Sequence, residues 1–155
     1  MPPLTLSDGF AALNRGDLAT AGEACKQALE KDQTQAPAHF LVGLVALEGK
    51  QRQVAHQAFK SVLKLDKDHA AAWAHLAKLN VGEGRIAAAE AALKEVRRIQ
   101  PSDPLVIELT GTVLNSLGEY EAAEMFFERA HQLVPKSPSA LMNLGNVRVF
   151  LGKID

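Results

Sequence analysis

The most informative segment of the chain is PLVIELTGTVLNSLGEYEAAEMFFERAHQLVPKS, at residues 104–137. Apolar side chains recur at spacings of three and four residues on both sides of Gly118, which is typical of two amphipathic helices. Asp103 and Pro104 begin the first helix as an N-cap followed by proline, and Pro135 ends the second. Two helices of about 14 residues joined by a short turn lie antiparallel, and such a pair needs a neighbour to bury its apolar faces.

A shift of 34 residues finds those neighbours elsewhere in the sequence. Small residues recur at one position of the first helix (helix A) and at one position of the second (helix B), where they would let the two helices approach closely. A bulky apolar position and a turn glycine repeat in the same way. The small residues of helix A are Gly9, Gly43, Ala77, Gly111 and Gly145, and those of helix B are Ala21, Ala55, Ala89 and Ala123. The bulky apolar position of helix B holds Cys25, Phe59, Leu93 and Phe127. The turn glycines are Gly16, Gly84, Gly118 and Gly152, with Gly49 one residue early in the second repeat.

The columns resemble the tetratricopeptide repeat, whose 34-residue pattern places Trp, Leu, Gly, Tyr, Ala, Phe, Ala and Pro at fixed positions. The third repeat supplies Trp73 and Leu76, and the fourth supplies Gly111, Ala123, Phe127, Ala130 and Pro135. The departures from the pattern are Thr5 and Asp8 at apolar positions, His39 at the Trp position and Asn80 at the Tyr position. The resemblance implies an all-α fold, a right-handed superhelix (α-solenoid) of helix-turn-helix repeats.

We predict a single domain, residues 1–155, with repeats at 2–35, 36–69, 70–103 and 104–137 and a partial fifth repeat at 138–155. The partial repeat contains a helix A without the helix B that should cover it, although repeat arrays normally end on a polar capping helix. Two interpretations remain open. The chain is a fragment of a longer polypeptide, or self-association into a homo-oligomer covers the uncovered helix.

Capping and turn signals predict where the helices begin and end. We expect the first helix A to run from near Thr5 to Asn14, and helix B from a cap at Asp17 to near Lys31. Pro37 is expected to open the second helix A, and the second helix B should run over about 51–65 with Lys60 and Lys64 facing outward. Asp68 is predicted to cap the third helix A, and residues 82–84 are predicted to form a turn. Ser137 and Pro138 should open the last helix.

Composition excludes several classes of protein. The net charge is −1 with the basic residues spread along the chain, so we expect no binding to nucleic acid or to an anionic membrane surface. No apolar run approaches the roughly 20 residues of a membrane span, and the sequence start lacks the pattern of an export signal. The single cysteine cannot form an internal disulfide. We therefore expect a cytoplasmic protein.

The residues that could carry chemistry have simpler interpretations. His69 and His75 are six residues apart and fall on different helix faces, so we predict no metal site. Cys25 occupies a bulky apolar position, where a thiol is buried and unactivated. Glu119, Glu121 and Glu124 crowd the start of a helix and are predicted to form a solvated face. Since nucleotide-binding, hydrolase and metalloprotease motifs are missing as well, we predict that the chain is not an enzyme and needs no cofactor.

The family pattern implies that the A helices line a concave groove that binds a peptide or helix of a partner protein. The candidate binding residues are Phe10, Leu13, Phe40, Leu41, Leu44, Leu47, His75, Lys78, Leu105, Glu108, Leu109, Thr112, Asn115, Asn143 and Asn146; the same face also includes Leu6, Ala74, Val81, Met142, Val149 and Phe150.

We expect the groove to be apolar in its N-terminal half and mixed beyond it. One hypothesis is that the apolar half binds an amphipathic helix or an extended apolar peptide; the alternative is that packing between adjacent repeats closes the apolar stripe. The carboxylate clamp by which some members of the family bind chaperone tails is disfavoured. Only Lys78, Asn143 and Asn146 are comparably polar, and no Arg joins them.

A second class of function is the recognition or dimerisation region of a larger enzyme. The segments RGDLATAGEACKQAL and FLGKID look similar to the repeat region that precedes bacterial sulfotransferase domains. The phosphosulfate-binding loop that a sulfotransferase requires is missing from these 155 residues. No activity is therefore predicted for this chain, and its primary predicted function is that of a non-catalytic protein-interaction scaffold.

Overall fold

Helix A and helix B alternate along the whole part of the chain that the computed structural model describes, residues 2–153. The last two residues of the predicted fifth repeat lie outside this range. Nine α-helices and no strand occur among the described residues: α1 Leu6–Asn14, α2 Leu18–Lys31, α3 Ala36–Glu48, α4 Arg52–Leu65, α5 Ala70–Gly82, α6 Ile86–Ile99, α7 Pro104–Ser116, α8 Tyr120–Leu133 and α9 Pro138–Phe150. The chain forms two compact units, an N-terminal unit, Met1–Ala72, and a C-terminal unit, Trp73–Asp155.

Most of the predicted helix boundaries are confirmed, because side-chain caps fix them. Thr5 and Asp8 form a reciprocal capping box at the start of α1. Asp17 accepts a hydrogen bond from the Thr20 amide at the start of α2, and Ser137 accepts one from the amide of Ala140 in α9.

The predicted cap at Asp68 is wrong. Helix α5 begins at Ala70, so His69 directly precedes it. The Ala72 amide donates a hydrogen bond to His69 Nδ1 at 3.2 Å. An imidazole nitrogen therefore accepts one of the amide hydrogens that a helix leaves unpaired at its start.

The turns between helix A and helix B require a left-handed backbone. Gly16, Gly84, Gly118 and Gly152 have φ between 71° and 77°. In the second repeat the glycine is displaced to position 49, and Lys50 takes the left-handed conformation with φ 56°. The left-handed turn thus stays at the same position of the repeat although the glycine does not. Lys50 therefore adopts a backbone conformation that residues other than glycine usually avoid.

In the N-terminal unit, helices α1 and α2 pack as one pair and α3 and α4 as another. A Cβ added to Gly43 would lie 2.5 Å from the Phe59 ring. A Cβ on Gly9 would lie 2.6 Å from Leu41 Cδ2 and 2.8 Å from Ala24 Cβ. The small residues therefore permit the close approach of helices that the repeat columns predicted.

In the C-terminal unit, α8 packs against both α7 and α9, and α7 also contacts α9. Its core includes Leu93, Leu114 and Phe127, with Trp73 packed against it. A Cβ on Gly111 would lie 2.7 Å from Phe127 Cε1. Each fully buried side chain of this size stabilises the fold by about 1.5–3 kcal/mol.

The predicted solvated face at the start of α8 is wrong for Glu124. This carboxylate is buried, with 8% of the residue exposed, and it accepts hydrogen bonds from Lys153 Nζ at 2.5 Å and Arg148 Nε at 3.0 Å. These two cations hold the pKa of Glu124 below its ordinary value. Arg148 also donates to Glu128 at 2.7 Å. The group joins α8 to α9, so its role is structural.

Candidate functional site

The predicted groove residues of the N-terminal unit lie on α1 and α3, which contact each other. Phe10, Leu13, Phe40, Leu44 and Leu47 are each half-buried. None belongs to the large apolar side chains that the described residues leave exposed. The apolar stripe predicted from sequence is therefore partly closed by packing in this unit.

Phe40 shows how this closure occurs. Its ring lies 5.8 Å from the ring of Phe59 and 4.7 Å from that of His69, in tilted arrangements that favour aromatic contact. Leu41 is fully buried and faces Gly9, so we remove it from the candidate surface. A residue in the core cannot contact a partner while the unit stays folded.

In the C-terminal unit the predicted residues are more accessible. Leu105 is 76% exposed on α7. Lys78 and Asn146 are also exposed, on α5 and α9. Leu105 is thus the most exposed large apolar side chain of the predicted site, the reverse of the expectation that the N-terminal half offers the apolar surface.

Polar contacts connect α7 to α9 on this surface. Asn143 Nδ2 donates a hydrogen bond to Glu108 Oε1 at 3.0 Å. Thr112 Oγ1 donates to the Glu108 carbonyl oxygen at 3.1 Å, so this hydroxyl is already satisfied within the helix. Glu108, Thr112 and Asn143 are all half-buried. The contact orients the Asn143 amide and the Glu108 carboxylate toward each other.

The remaining predicted residues of this unit, His75, Leu109 and Asn115, are half-buried. Leu109 packs against the core of the unit. Asn115 Oδ1 is buried and has no hydrogen-bond partner among the described residues. A buried amide oxygen without a donor costs free energy.

Cys25 is buried as predicted. Burial raises the pKa of its thiol to about 11. The thiolate fraction at neutral pH is therefore very small, and the side chain behaves as a small apolar residue.

The described part of the chain contains no group of three or more His, Cys, Asp and Glu side chains that could bind a metal ion. Among residues 2–153, none of the helices combines the length and the apolar character that a membrane span requires.

Sequence reasoning missed two features. Arg148 stands at the position where the repeat pattern has Tyr, and that departure was the available signal for its ion pairs with Glu124 and Glu128. The stacking of Tyr120 on Phe150, with rings 5.0 Å apart and 5° from parallel, had no signal in the sequence, because it joins residues 30 positions apart.

Comparison with known proteins supports the repeat resemblance. A family model described as Tetratricopeptide repeat matches residues 46–111. None of the curated proteins compared with the sequence matches it.

Several solved structures share the fold. PilF of Pseudomonas aeruginosa is 22% identical with a TM-score of 0.76, and the match covers 94% of this chain and 66% of that one. MamA of Desulfovibrio magneticus RS-1 is 20% identical with a TM-score of 0.69, covering 94% and 82%. A thermophilic TPR protein of Thermus thermophilus, TTC0263, is 19% identical with a TM-score of 0.80, covering 96% and 81%.

These matches confirm the predicted resemblance and the predicted fold class, an all-α solenoid of tetratricopeptide repeats. They do not support the alternative that the chain is the recognition or dimerisation region of a larger enzyme such as a sulfotransferase. The chain spans about two-thirds of the length of the PilF chain that it matches. The single domain of residues 1–155 stays a prediction.

Proposed function

Because the chain has the tetratricopeptide repeat fold, we propose that it is a non-catalytic scaffold that binds a peptide or helix of a partner protein on the faces of its A helices. Repeat folds of this kind present extended binding surfaces rather than enclosed catalytic pockets. The observation that carries the proposal is Leu105, a large apolar side chain that is 76% exposed beside the polar contact between Glu108 and Asn143.

The chemistry of this surface suits one kind of ligand. An exposed apolar anchor surrounded by oriented polar groups is the arrangement that binding hot spots use. Leu105 would contact an apolar side chain of the partner, and the Glu108 carboxylate three residues further along the helix could accept hydrogen bonds from the same partner segment. We therefore expect a segment that presents one large apolar side chain next to hydrogen-bond donors.

The two units contribute differently to the proposal. In the N-terminal unit the apolar residues Phe10, Leu13, Phe40, Leu44 and Leu47 are half-buried, so a partner would gain less apolar contact area there. The surface of the C-terminal unit is therefore the primary proposed site, and that of the N-terminal unit is secondary.

The test selects peptide ligands from a displayed random library and measures their affinity by fluorescence anisotropy. We expect Leu105→Asp to weaken the selected peptides at least tenfold, about 1.4 kcal/mol, because the variant places a charge at the apolar anchor. Met125→Asp is the matched control, since Met125 is 71% exposed on α8 and lies outside the A-helix faces. Peptides that bind the Leu105→Asp variant as well as the unmodified protein, or a selection that yields no peptide, would contradict the proposal.

A further inference from the structure

A cavity of about 220 Å³ opens between two B helices of the C-terminal unit. It is lined by the end of α6, by the segment that follows α6, and by the middle of α8. Its apolar lining residues are Val96, Pro101, Met125 and Phe126. None of them lies on an A helix, so the cavity is distinct from the partner surface proposed above.

The cavity has room for one large apolar side chain. Its volume is below the roughly 300–1,000 Å³ of pockets that enclose a drug-sized ligand. It is open to solvent, since Met125 is 71% exposed. The thioether of Met125 and the ring of Phe126 both make favourable contacts with an aromatic ring. An open apolar cavity of this size therefore suits one side chain of a longer ligand, phenylalanine above all, better than a whole small molecule.

Two arginines add positive charge to the cavity. Arg97 and Arg129 both line it, and both are exposed. Arg97 lies 3.3 Å from a carboxylate oxygen of Glu119, and their side chains are 47% and 40% exposed. Ion pairs as exposed as this one contribute little to stability, so the carboxylate of a ligand can replace Glu119 at small cost.

The fold gives no reason for an arginine at position 129. Arg129 has no hydrogen bond or ion pair within residues 2–153. It also lies outside the last turn of α8, where a cation would stabilise the helix dipole. The equivalent positions 34 and 68 residues upstream hold Leu63 and Leu29 for Arg97, and Glu95 and Ser61 for Arg129. The arginine pair is therefore specific to this cavity and is not part of the repeat.

We propose that the cavity binds an acidic peptide segment of a partner protein. One large apolar side chain of the segment enters the cavity, and the Asp or Glu carboxylates beside it contact Arg97 and Arg129. A guanidinium group presents a planar set of N–H donors that pairs with a carboxylate through two hydrogen bonds. Arginine clusters recognise acidic motifs by the same chemistry. This segment differs from the ligand of the A-helix surface, which presents hydrogen-bond donors.

The test is an NMR titration of the whole isotopically labelled chain with a capped pentapeptide that has phenylalanine between two pairs of glutamates. We expect chemical-shift changes at the amides of Arg97, Gln100, Phe126 and Arg129. The dissociation constant should be on the order of 100 µM to 1 mM, because a short peptide loses much of its freedom on binding. Glutamines in place of the glutamates, or alanine in place of the phenylalanine, should each raise this constant at least about fivefold.

Three results of the titration would overturn the proposal. The first is the absence of shift changes at peptide concentrations up to about 5 mM, since even a weak site of this kind is then largely occupied. The second is a set of changes confined to the A helices. The third is equal affinity for the acidic and the glutamine peptides, because carboxylate recognition by the arginines would then be absent.

Arginine variants test the role of charge. Arg129→Gln should raise the dissociation constant of the acidic peptide at least about fivefold and should leave that of the glutamine peptide unchanged. Arg52→Gln is the matched control, since Arg52 is an exposed helix arginine of the N-terminal unit. Equal weakening by the two variants would overturn the proposal, because net charge alone would explain it. So would 3-phenylpropionate binding as tightly as the peptide, because a small aromatic carboxylate would then be the occupant. Circular dichroism confirms that each variant keeps its helices.

The cavity and the A-helix surface can be tested separately. Met125→Asp places a negative charge in the cavity and should weaken the acidic peptide at least about tenfold. Leu105→Asp changes a residue of α7 outside the cavity lining and should leave the affinity of this peptide nearly unchanged. Equal weakening by these two variants would overturn the assignment to the cavity. The A-helix proposal depends instead on peptides that Leu105→Asp weakens and Met125→Asp does not.

Discussion

Replacing Lys50 with glycine should stabilise the N-terminal unit. Lys50 has φ 56°, whereas the four glycines at the equivalent turn position have φ between 71° and 77°. A side chain in the left-handed region costs about 1–2 kcal/mol. Glycine removes that cost, but it lowers the net gain by about 0.5–1 kcal/mol because it increases the conformational entropy of the unfolded chain. We expect Lys50→Gly to raise the free energy of unfolding by about 0.5–1 kcal/mol, or the thermal midpoint by about 2 °C.

Two variants separate backbone strain from the other effects of the change. Lys50→Ala removes the charge and the long side chain but keeps Cβ, so its thermal midpoint should stay near that of the unmodified protein. Gly118→Ala makes the reverse change at an equivalent turn where Cβ would meet nothing within 4 Å, so a net cost of about 0.5–1 kcal/mol would come from the backbone alone. The assay is thermal and urea unfolding followed by circular dichroism. A lower midpoint for Lys50→Gly, or an equal gain for Lys50→Ala, would refute the reasoning.

Two further predictions concern the C-terminal unit. Gly111→Ala places a Cβ 2.7 Å from the Phe127 ring and should lower the free energy of unfolding by about 1–3 kcal/mol in urea denaturation. The matched Gly145→Ala lies on a helix in open space and should raise the free energy of unfolding by up to about 1 kcal/mol. Equal effects of the two variants would contradict the packing argument. The folded pKa of Glu124 lies below the ordinary value of 4.5, so its stabilising contribution is complete above pH 4.5 and is lost as the pH falls through the lowered folded pKa. We expect Glu124→Gln to lower the thermal midpoint at pH 7 and to make it less dependent on pH below about 4.5. An unchanged pH dependence would contradict the role given to the contacts with Lys153 and Arg148.

The candidate site was predictable only in part. Its positions on the A helices follow from the repeat, but the accessibility of each side chain does not. Phe40 and Leu105 occupy comparable predicted faces, yet Phe40 packs against Phe59 and His69 while Leu105 is left exposed. Accessibility depends on side chains from other helices, and a repeat pattern records only which residues recur.

Local chemistry in the sequence determined the helices, their caps and the repeat. Proline, glycine and short polar side chains act on the backbone within a few residues, so Asp17 and Ser137 specify where their helices begin. The recurrence of small residues every 34 positions determined which helices pack closely, as Gly111 does on Phe127. These features can be predicted from the sequence because the interactions that produce them are local or periodic.

The tertiary structure decided what depends on a single contact between distant positions. Glu124 looks like any other carboxylate at the start of a helix, and it is buried only because Arg148 and Lys153 come from 24 and 29 residues further along the chain. Lys50 carries the left-handed turn because the packing of α3 on α4 fixes where the turn must lie, whichever residue occupies it. The contacts of Glu124 have no counterpart in the repeat pattern, and their energy comes from burial and from the meeting of specific atoms, neither of which a linear pattern contains.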